Sequence, residues 1–356
     1  MDGRPRRGAL TLRRSLAVDV ALVAAIAMAL AFALTNGFQD AANAIATLVA
    51  TRAARPVTAI LMASIMNLLG PLLIGAAVAN TVAKIVVVEP AVAVAVIGAG
   101  LTGAVLWNTF TWYRGIPSSA SHALVGGLVG AAVLAAGLEA VAWGPIVDGS
   151  IGGVLGILAG ILLAAALGLG ASWVLERVAL RLARRASTGA RRPVRLAQWV
   201  TSAWLAYSHG ANDASKAVGV IGALLVVSGS IEGAADAGVI TIFACSLALT
   251  IGTALGGWRI VKTIGTRIYP LHSLDGLVSQ ASSAGVIFGA SVAGAPVSTS
   301  QVVASSVVGI GAGRQRWRHV SWGVMREIGI AWLTTMPAAA IVAVLSLPLW
   351  LYLAGV

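Results

Sequence analysis

N-G-F-Q-D-A-A-N at Asn36–Asn43 and H-G-A-N-D-A-S-K at His209–Lys216 set Asp40 and Asp213 in matching positions, 173 residues apart. Each string follows an apolar run, Leu16–Thr35 for the first and Trp199–Tyr207 for the second. A carboxylate at that point sits at membrane depth, where a charge is costly and marks a pathway or a binding site by default. The same device in both halves is the pattern of a membrane protein built from an internal repeat.

Composition fixes the class. The 356 residues are 58% hydrophobic and 10% charged, with a mean hydropathy of +0.92. Soluble domains run near 25% charged, so the chain is an integral membrane protein. Its apolar runs are long and continuous, unlike the alternating ten-residue segments of a barrel. The predicted fold is all-α, with about 10 to 12 transmembrane helices counting broken and half helices. The net charge of +12 does not indicate nucleic acid. The basic residues fall at the chain start (Arg4, Arg6, Arg7, Arg13, Arg14) and between apolar runs, as the positive-inside rule requires. The run from Leu16 continues to Leu34 without a clear cleavage site and reads as a retained first helix. Cys245 is the lone cysteine, so disulfides and Cys-rich metal sites are excluded.

The segments divide into an N-terminal transmembrane half over 1–176, an Arg-rich cytoplasmic loop over 177–195 and a C-terminal transmembrane half over 196–356. Residues Leu16–Ala50 as one helix span about 52 Å, more than a hydrocarbon core of about 30 Å. A break is therefore expected at Asn36–Gly37. Separate segments are expected at Trp199–Tyr207 and Ala214–Val227, one at Val57–Val82, and a division or strong tilt near Pro337 in the last run.

A second pair follows the first. I-P-S-S-A-S-H at Ile116–His122 matches A-P-V-S-T-S-Q at Ala295–Gln301, with Pro117 and Pro296 179 positions apart. Proline followed by Ser or Thr is a helix-start signal. A helix starting inside the membrane offers free N–H groups and the positive end of its dipole, which together bind anions. Ser118, Ser119, Ser121, Ser298, Thr299 and Ser300 are the expected ring around a tetrahedral oxyanion. The alternative is that these hydroxyls only join helices. Asp40 with Asn36, Gln39 and Asn43, and Asp213 with Asn212, supply hard oxygen ligands for a coupling cation, with Na⁺ placed at Asp40, Asn43, Asp213 and Asn212, or for a proton. Lys216 is open between substrate partner, counter-ion to Asp213 and interface anchor. His122 and Gln301 extend the anion set, and His209 is a weaker candidate. Asp275 reads as a helix cap and Glu327 as a partner of Arg326. Arg259, Lys262, Arg267, Arg314, Arg316, Arg318, His272 and His319 read as solvated.

No H-E-x-x-H, Walker loop or clustered Cys/His set occurs in the sequence. Ser118–His122 lacks a nearby partnered acid. An enzyme and a resident cofactor are therefore not expected, and any transport is driven by an ion gradient.

At the strings N-G-F-Q-D-A-A-N, H-G-A-N-D-A-S-K, I-P-S-S-A-S-H and A-P-V-S-T-S-Q, and at the terminal W-G-V…A-W-L-T-T-M-P-A-A-A, the chain resembles the PiT family of inorganic phosphate transporters. The resemblance runs from about Ala31 to Ala343. It implies a cytoplasmic-membrane symporter with an inverted repeat, homodimeric, that imports inorganic phosphate, free or metal-complexed, with H⁺ or Na⁺. Phosphate is then held between the two Ser/Thr strings and the coupling cation by the Asp/Asn strings. Gln39 and Gln301 stand where relatives often carry His, which leaves Asp40, Asp213 and His122 as proton carriers. A sulfate permease of the same fold and an uncoupled anion channel are the alternatives.

Overall fold

The computed structural model describes residues 6–74, 77–144, 153–184 and 191–356. Their regular structure is helical apart from one isolated antiparallel bridge between Val86 and Val141. The helices are α1 (Arg6–Ala50), α2 (Pro56–Ile74), α3 (Ala77–Ala83), α4 (Pro90–Arg114), α5 (Ala120–Ala136), α6 (Gly153–Ala183), α7 (Arg191–Val227), α8 (Gly238–Leu255), α9 (Trp258–Lys262), α10 (Ser273–Val292), α11 (Thr299–Gly313) and α12 (Trp322–Ala354). A π-helical turn at Thr263–Arg267 continues α9. Among the described residues, α1, α2, α4, α6, α7, α8 and α12 are long and apolar enough to cross a membrane. The helices α5 and α11 are shorter, at 17 and 15 residues, and begin at buried positions.

The expected break at Asn36–Gly37 is absent. The helix α1 runs straight through it, because the constraint that demanded a break does not act there. From Thr35 to Leu48 every residue is buried, so this part of α1 lies against protein and need not match the lipid thickness. Gly37 serves close approach instead. A Cβ at Gly37 would stand 2.1 Å from the carbonyl oxygen of Leu249 in α8. The second half repeats the arrangement: α7 is one helix where two segments were expected, and a Cβ at Gly210 would stand 2.4 Å from the carbonyl oxygen of Asn67 in α2. Within Val57–Val82 the described residues belong to α2 and α3, with residues 75 and 76 outside them, and α12 continues through Pro337.

Two apolar clusters define the two ends of the bundle. One joins Ala21, Ala25 and Ala29 of α1 to Val82, Val96, Leu224 and Leu347. The other joins Ile45 and Leu48 of α1 to Ile60, Leu205, Ile264 and Val302. The start of α1 therefore lies at the end opposite to the start of α7, where Arg195 donates to the carbonyl of Arg52 at 2.6 Å. Of the stretch expected as a loop, 177–183 belong to α6 and 191–195 to α7, and 185–190 lie outside the described residues. Arg4 and Arg185 lie outside the described residues, as do the side chains of Arg6, Arg7, Arg13, Arg14, Arg191 and Arg259.

Candidate functional site

The helices α1 and α7 present their polar strings as stripes, with side chains three and four positions apart facing one way. Asn36, Gln39, Asp40 and Asn43 on α1, and His209, Asn212, Asp213 and Lys216 on α7, are each at most 4% exposed. The first residue of α11 joins the stripes. Thr299 Oγ1 lies 3.2 Å from Asp40 Oδ2 and 3.2 Å from Asp213 Oδ2. Asn43 Nδ2 donates to Asp40 Oδ1 at 2.8 Å and reaches Thr299 Oγ1 at 3.3 Å. Thus the two carboxylates, far apart in sequence, share one hydroxyl.

Asp213 has charged company. Lys216 Nζ bonds its Oδ1, and His209 Nε2 lies 2.8 Å from its Oδ2. His209 Nδ1 meets Asn67 Oδ1 at 3.0 Å. Lys216 also donates to Ser121 Oγ and to the carbonyl oxygen of Val297, each at 2.7 Å. Lys216 is therefore the counter-ion of Asp213, and it touches both Ser/Thr strings. One ligand atom each from Asp40, His209 and Asp213 lie within 4.8 Å of one another, a group able to hold a small cation. His209 is central, although the sequence reading ranked it low. Its i,i+4 spacing to Asp213, one helical turn, was the available signal.

Asn212 is placed differently from the other expected cation ligands. Its Oδ1 accepts from the backbone N–H of Val297 at 3.2 Å, and its Nδ2 donates to Ser291 Oγ and the Ala295 carbonyl at 3.1 Å each. It holds the α10–α11 connection against α7. Gln39 donates to Ser118 Oγ at 2.5 Å and lies 3.3 Å from Thr111 Oγ1, so it reaches the first Ser string. Both amide atoms of Asn36 are buried without a hydrogen-bond partner.

The starts of α5 and α11 meet. Ser121 Oγ donates to the Val297 carbonyl and Ser300 Oγ donates to the Ser118 carbonyl, both at 2.9 Å. Ser298 and Ser300 hydroxyls lie 3.2 Å apart. Ser119 caps α5, accepting from the backbone N–H of His122 at 3.2 Å, with His122 Nδ1 at 2.8 Å. His122 thus folds back onto its own cap. Gln301 is buried in the first turn of α11. A cavity of about 420 Å³ opens beside this region, lined by Thr111, Arg114, Pro117, Arg267, Glu327 and Thr334 among others.

A second polar cluster lies away from the strings. Arg314, expected to be solvated, is 18% exposed; its Nε lies 3.0 Å from Glu176 Oε1, and it bonds Asp275 Oδ1 through Nε at 2.8 Å and through its terminal nitrogen. Asp275 also accepts from the His272 backbone N–H at 2.7 Å, so it caps α10 and anchors Arg314 at once. Burial of both carboxylates draws the guanidinium in. Glu327 pairs with Arg267 at 3.7 Å rather than with Arg326.

Comparison with known proteins identifies the family and the fold. The sequence profile of the Phosphate transporter family matches residues 36–343. A Bacillus subtilis protein named "Probable low-affinity inorganic phosphate transporter" is 36% identical over 294 residues, covering 81% of this chain and 85% of its own. Proteins of the same name from Rhizobium meliloti (37% identical, 83% and 86% covered) and Mycobacterium tuberculosis (38% identical, 85% and 71% covered) are similar. The solved structure titled "The sodium-dependent phosphate transporter" superposes with a TM-score of 0.79, covering 92% of this chain and 98% of that one at 23% identity, and shares the fold. The profile spans both pairs of strings, and the chain belongs to the phosphate transporter family.

Proposed function

We propose that this multi-pass membrane protein imports inorganic phosphate across the cytoplasmic membrane by cation symport, with alternating access and no chemical step. The observation that carries the reading is Thr299, whose hydroxyl contacts both carboxylates while its neighbour Ser300 donates to the Ser118 carbonyl just before α5 and lies 3.2 Å from the Ser298 hydroxyl. One helix start thereby touches cation-binding carboxylates on one side and hydroxyls on the other. A bound cation screens Asp40 and Asp213 from a phosphate held at Ser118, Ser121, Ser298 and Ser300, so each ion favours binding of the other. Burial of the whole set to a few per cent exposure fits a transporter closed around its site.

An inverted repeat accounts for the matched contacts of Gly37 with Gly210 and of Ser121 with Ser300. Basic residues place the ends. Arg52, Arg114, Arg195, Arg267, Arg314 and Arg318 gather at the end where α7 starts, linked through Thr51 and Gln198 at 2.6 Å and through Ser321 and Ile268 at 2.9 Å. Glu89, Glu139, Glu232 and Asp236 mark the other end beside Lys84. By the positive-inside rule the basic end is cytoplasmic, which sets the start of α1 on the outer face. The starts of α1 and α7 then lie on opposite sides, so the positive-inside rule cannot hold for the basic residues at the chain start and for those of the central stretch together.

The deciding experiment is uptake of labelled phosphate into proteoliposomes under imposed Na⁺ or H⁺ gradients, with sulfate as competitor. Gradient-driven accumulation with weak competition by sulfate supports the proposal. Flux that only equilibrates points to a channel, and preferential sulfate uptake overturns the substrate.

A further inference from the structure

The two halves of the site are unequally compensated. On α7, Asp213 is paired with the Lys216 ammonium. On α1, Asp40 has Asn43 and Thr299 as hydrogen-bond partners, and among the described residues no ammonium or guanidinium stands within ion-pair distance of it. His209 Nε2 stands on Asp213, 2.8 Å from its Oδ2, so both cationic-type side chains of the pair are placed on the α7 carboxylate. A buried carboxylate lacking a cation is costly.

Unmatched oxygens fall on the same side. Asn43 Oδ1 and Gln39 Oε1 on α1 are buried with no donor. Their α7 counterparts are engaged: Asn212 Oδ1 accepts from Val297, and Lys216 is fully occupied. Amide oxygens without donors are acceptors awaiting a positive charge.

The oxygen set around the ammonium is repeated in the first half. Lys216 Nζ is held by Asp213 Oδ1, Ser121 Oγ and the Val297 carbonyl. Carried across the 173- and 179-residue offsets, these become Asp40, Ser300 Oγ and the Ser118 carbonyl. The last two are joined at 2.9 Å, as Ser121 and Val297 are. In place of the ammonium stands the side chain of Asn43, with its unmatched oxygen. Carboxylate, hydroxyl, carbonyl and amide oxygens are the ligands of a small hard metal cation.

We propose that Lys216 is a tethered substitute for a coupling cation. Its ammonium permanently fills the α7 half of a paired cation site, and one mobile monovalent metal cation of the Na⁺ type binds the α1 half, at Asp40, Asn43, Ser118 and Ser300. The inference rests on the symport reading above and sets its cation stoichiometry: one mobile metal ion at this pair of positions. It also assigns the difference between Asn43 and Lys216, which breaks the two-fold match of the strings, a role in ion coupling.

The test uses the full chain in proteoliposomes with Na⁺ as the probe. Initial phosphate uptake is measured against Na⁺ concentration for wild type, Lys216→Asn and Asn43→Lys, and Na⁺-dependent melting is followed in detergent. A Hill coefficient is bounded by the number of sites, so wild type should give about one and Lys216→Asn a value rising toward about two. Asn43→Lys should melt cooperatively, with its melting temperature and residual uptake indifferent to Na⁺. A wild-type coefficient near two overturns the proposal, as does a Na⁺-dependent melting shift that survives in Asn43→Lys. If Lys216→Asn cannot be purified, those two measurements still decide. Phosphate accumulation driven by a pH gradient and indifferent to Na⁺ leaves the symport reading standing and overturns this inference. Absence of accumulation under every gradient overturns both.

Discussion

The Ser121 hydroxyl donates to the Val297 carbonyl at 2.9 Å, and the contact recurs with the halves exchanged, Ser300 donating to Ser118 at 2.9 Å. Reciprocal contacts of this kind are what a two-fold relation produces. The two hydroxyls differ in one respect, since Ser121 also accepts from the buried Lys216 ammonium. Hydrogen bonds to charged groups contribute about 1.5–3 kcal/mol, against about 0.5–1.5 for neutral ones. Ser300→Ala is expected to destabilise the fold by about 0.5–1.5 kcal/mol and Ser121→Ala by about 1.5–3 kcal/mol. Melting curves in one detergent measure both; equal losses would contradict the asymmetry.

Asp40 and Asp213 should separate in stability. Asp213→Asn leaves the Lys216 ammonium, 1% exposed, without its carboxylate, and breaking a buried pair costs about 3–5 kcal/mol. Asp40→Asn removes a charge that has no resident ammonium or guanidinium partner among the described residues, and it keeps an acceptor for Asn43. Thermal melting in detergent without added Na⁺ should therefore show a large drop for Asp213→Asn and little change, or a gain, for Asp40→Asn. A greater loss for Asp40→Asn would contradict the assigned charge balance.

Close helix approach gives a sharper contrast. A Cβ at Gly37 meets the backbone of α8 at 2.1 Å, and backbone cannot swing aside. Gly160 on α6 has nothing within 4 Å of its Cβ position. Gly37→Ala should destabilise by about 1–3 kcal/mol or more through overpacking. Gly160→Ala should be neutral or gain up to about 1 kcal/mol from reduced chain entropy. Melting temperatures of the two variants in one detergent test this, and a tolerated Gly37→Ala would remove the close-packing account of that glycine.

Much of the site was readable because its chemistry is written in local strings. Asp40, Asp213 and the Ser/Thr residues stand out against an apolar chain, and their order repeats. What could not be read depended on partners distant in sequence. His209 looked minor because Asn67, which orients it, lies on another helix. Arg314 looked solvated because Glu176 and Asp275 come from two other helices. The break at Asn36–Gly37 was inferred from lipid thickness, a rule that lapses where protein surrounds the helix. Pro296 and Pro117 announced helix starts correctly, since that signal is confined to a few residues.

Arg314 carries a prediction of its own. It joins α6, α10 and α11 through two carboxylates that are fully buried. Arg314→Leu leaves both without a cation and should cost about 3–5 kcal/mol. Replacing the charges together, as Arg314→Leu with Glu176→Leu and Asp275→Asn, should recover much of that loss, because an apolar contact of similar volume often matches a buried ion pair. Melting curves of the single and triple variants decide; a triple variant no more stable than the single one would mean that the cluster specifies the packing of α11 rather than balancing charge.

The orientation can be checked with thiol labelling, since Cys245 is alone and buried and a buried thiol in apolar surroundings is inert. Arg318 and Glu232 are both exposed, at opposite ends of the bundle. With the basic end cytoplasmic, Glu232→Cys should react with a membrane-impermeant reagent in intact cells, and Arg318→Cys only in inside-out vesicles. The wild-type chain should stay unlabelled in both. The reverse pattern would put the start of α1 in the cytoplasm, and the positive-inside argument would then have to rest on the first fourteen residues instead of on the six arginines at the other end.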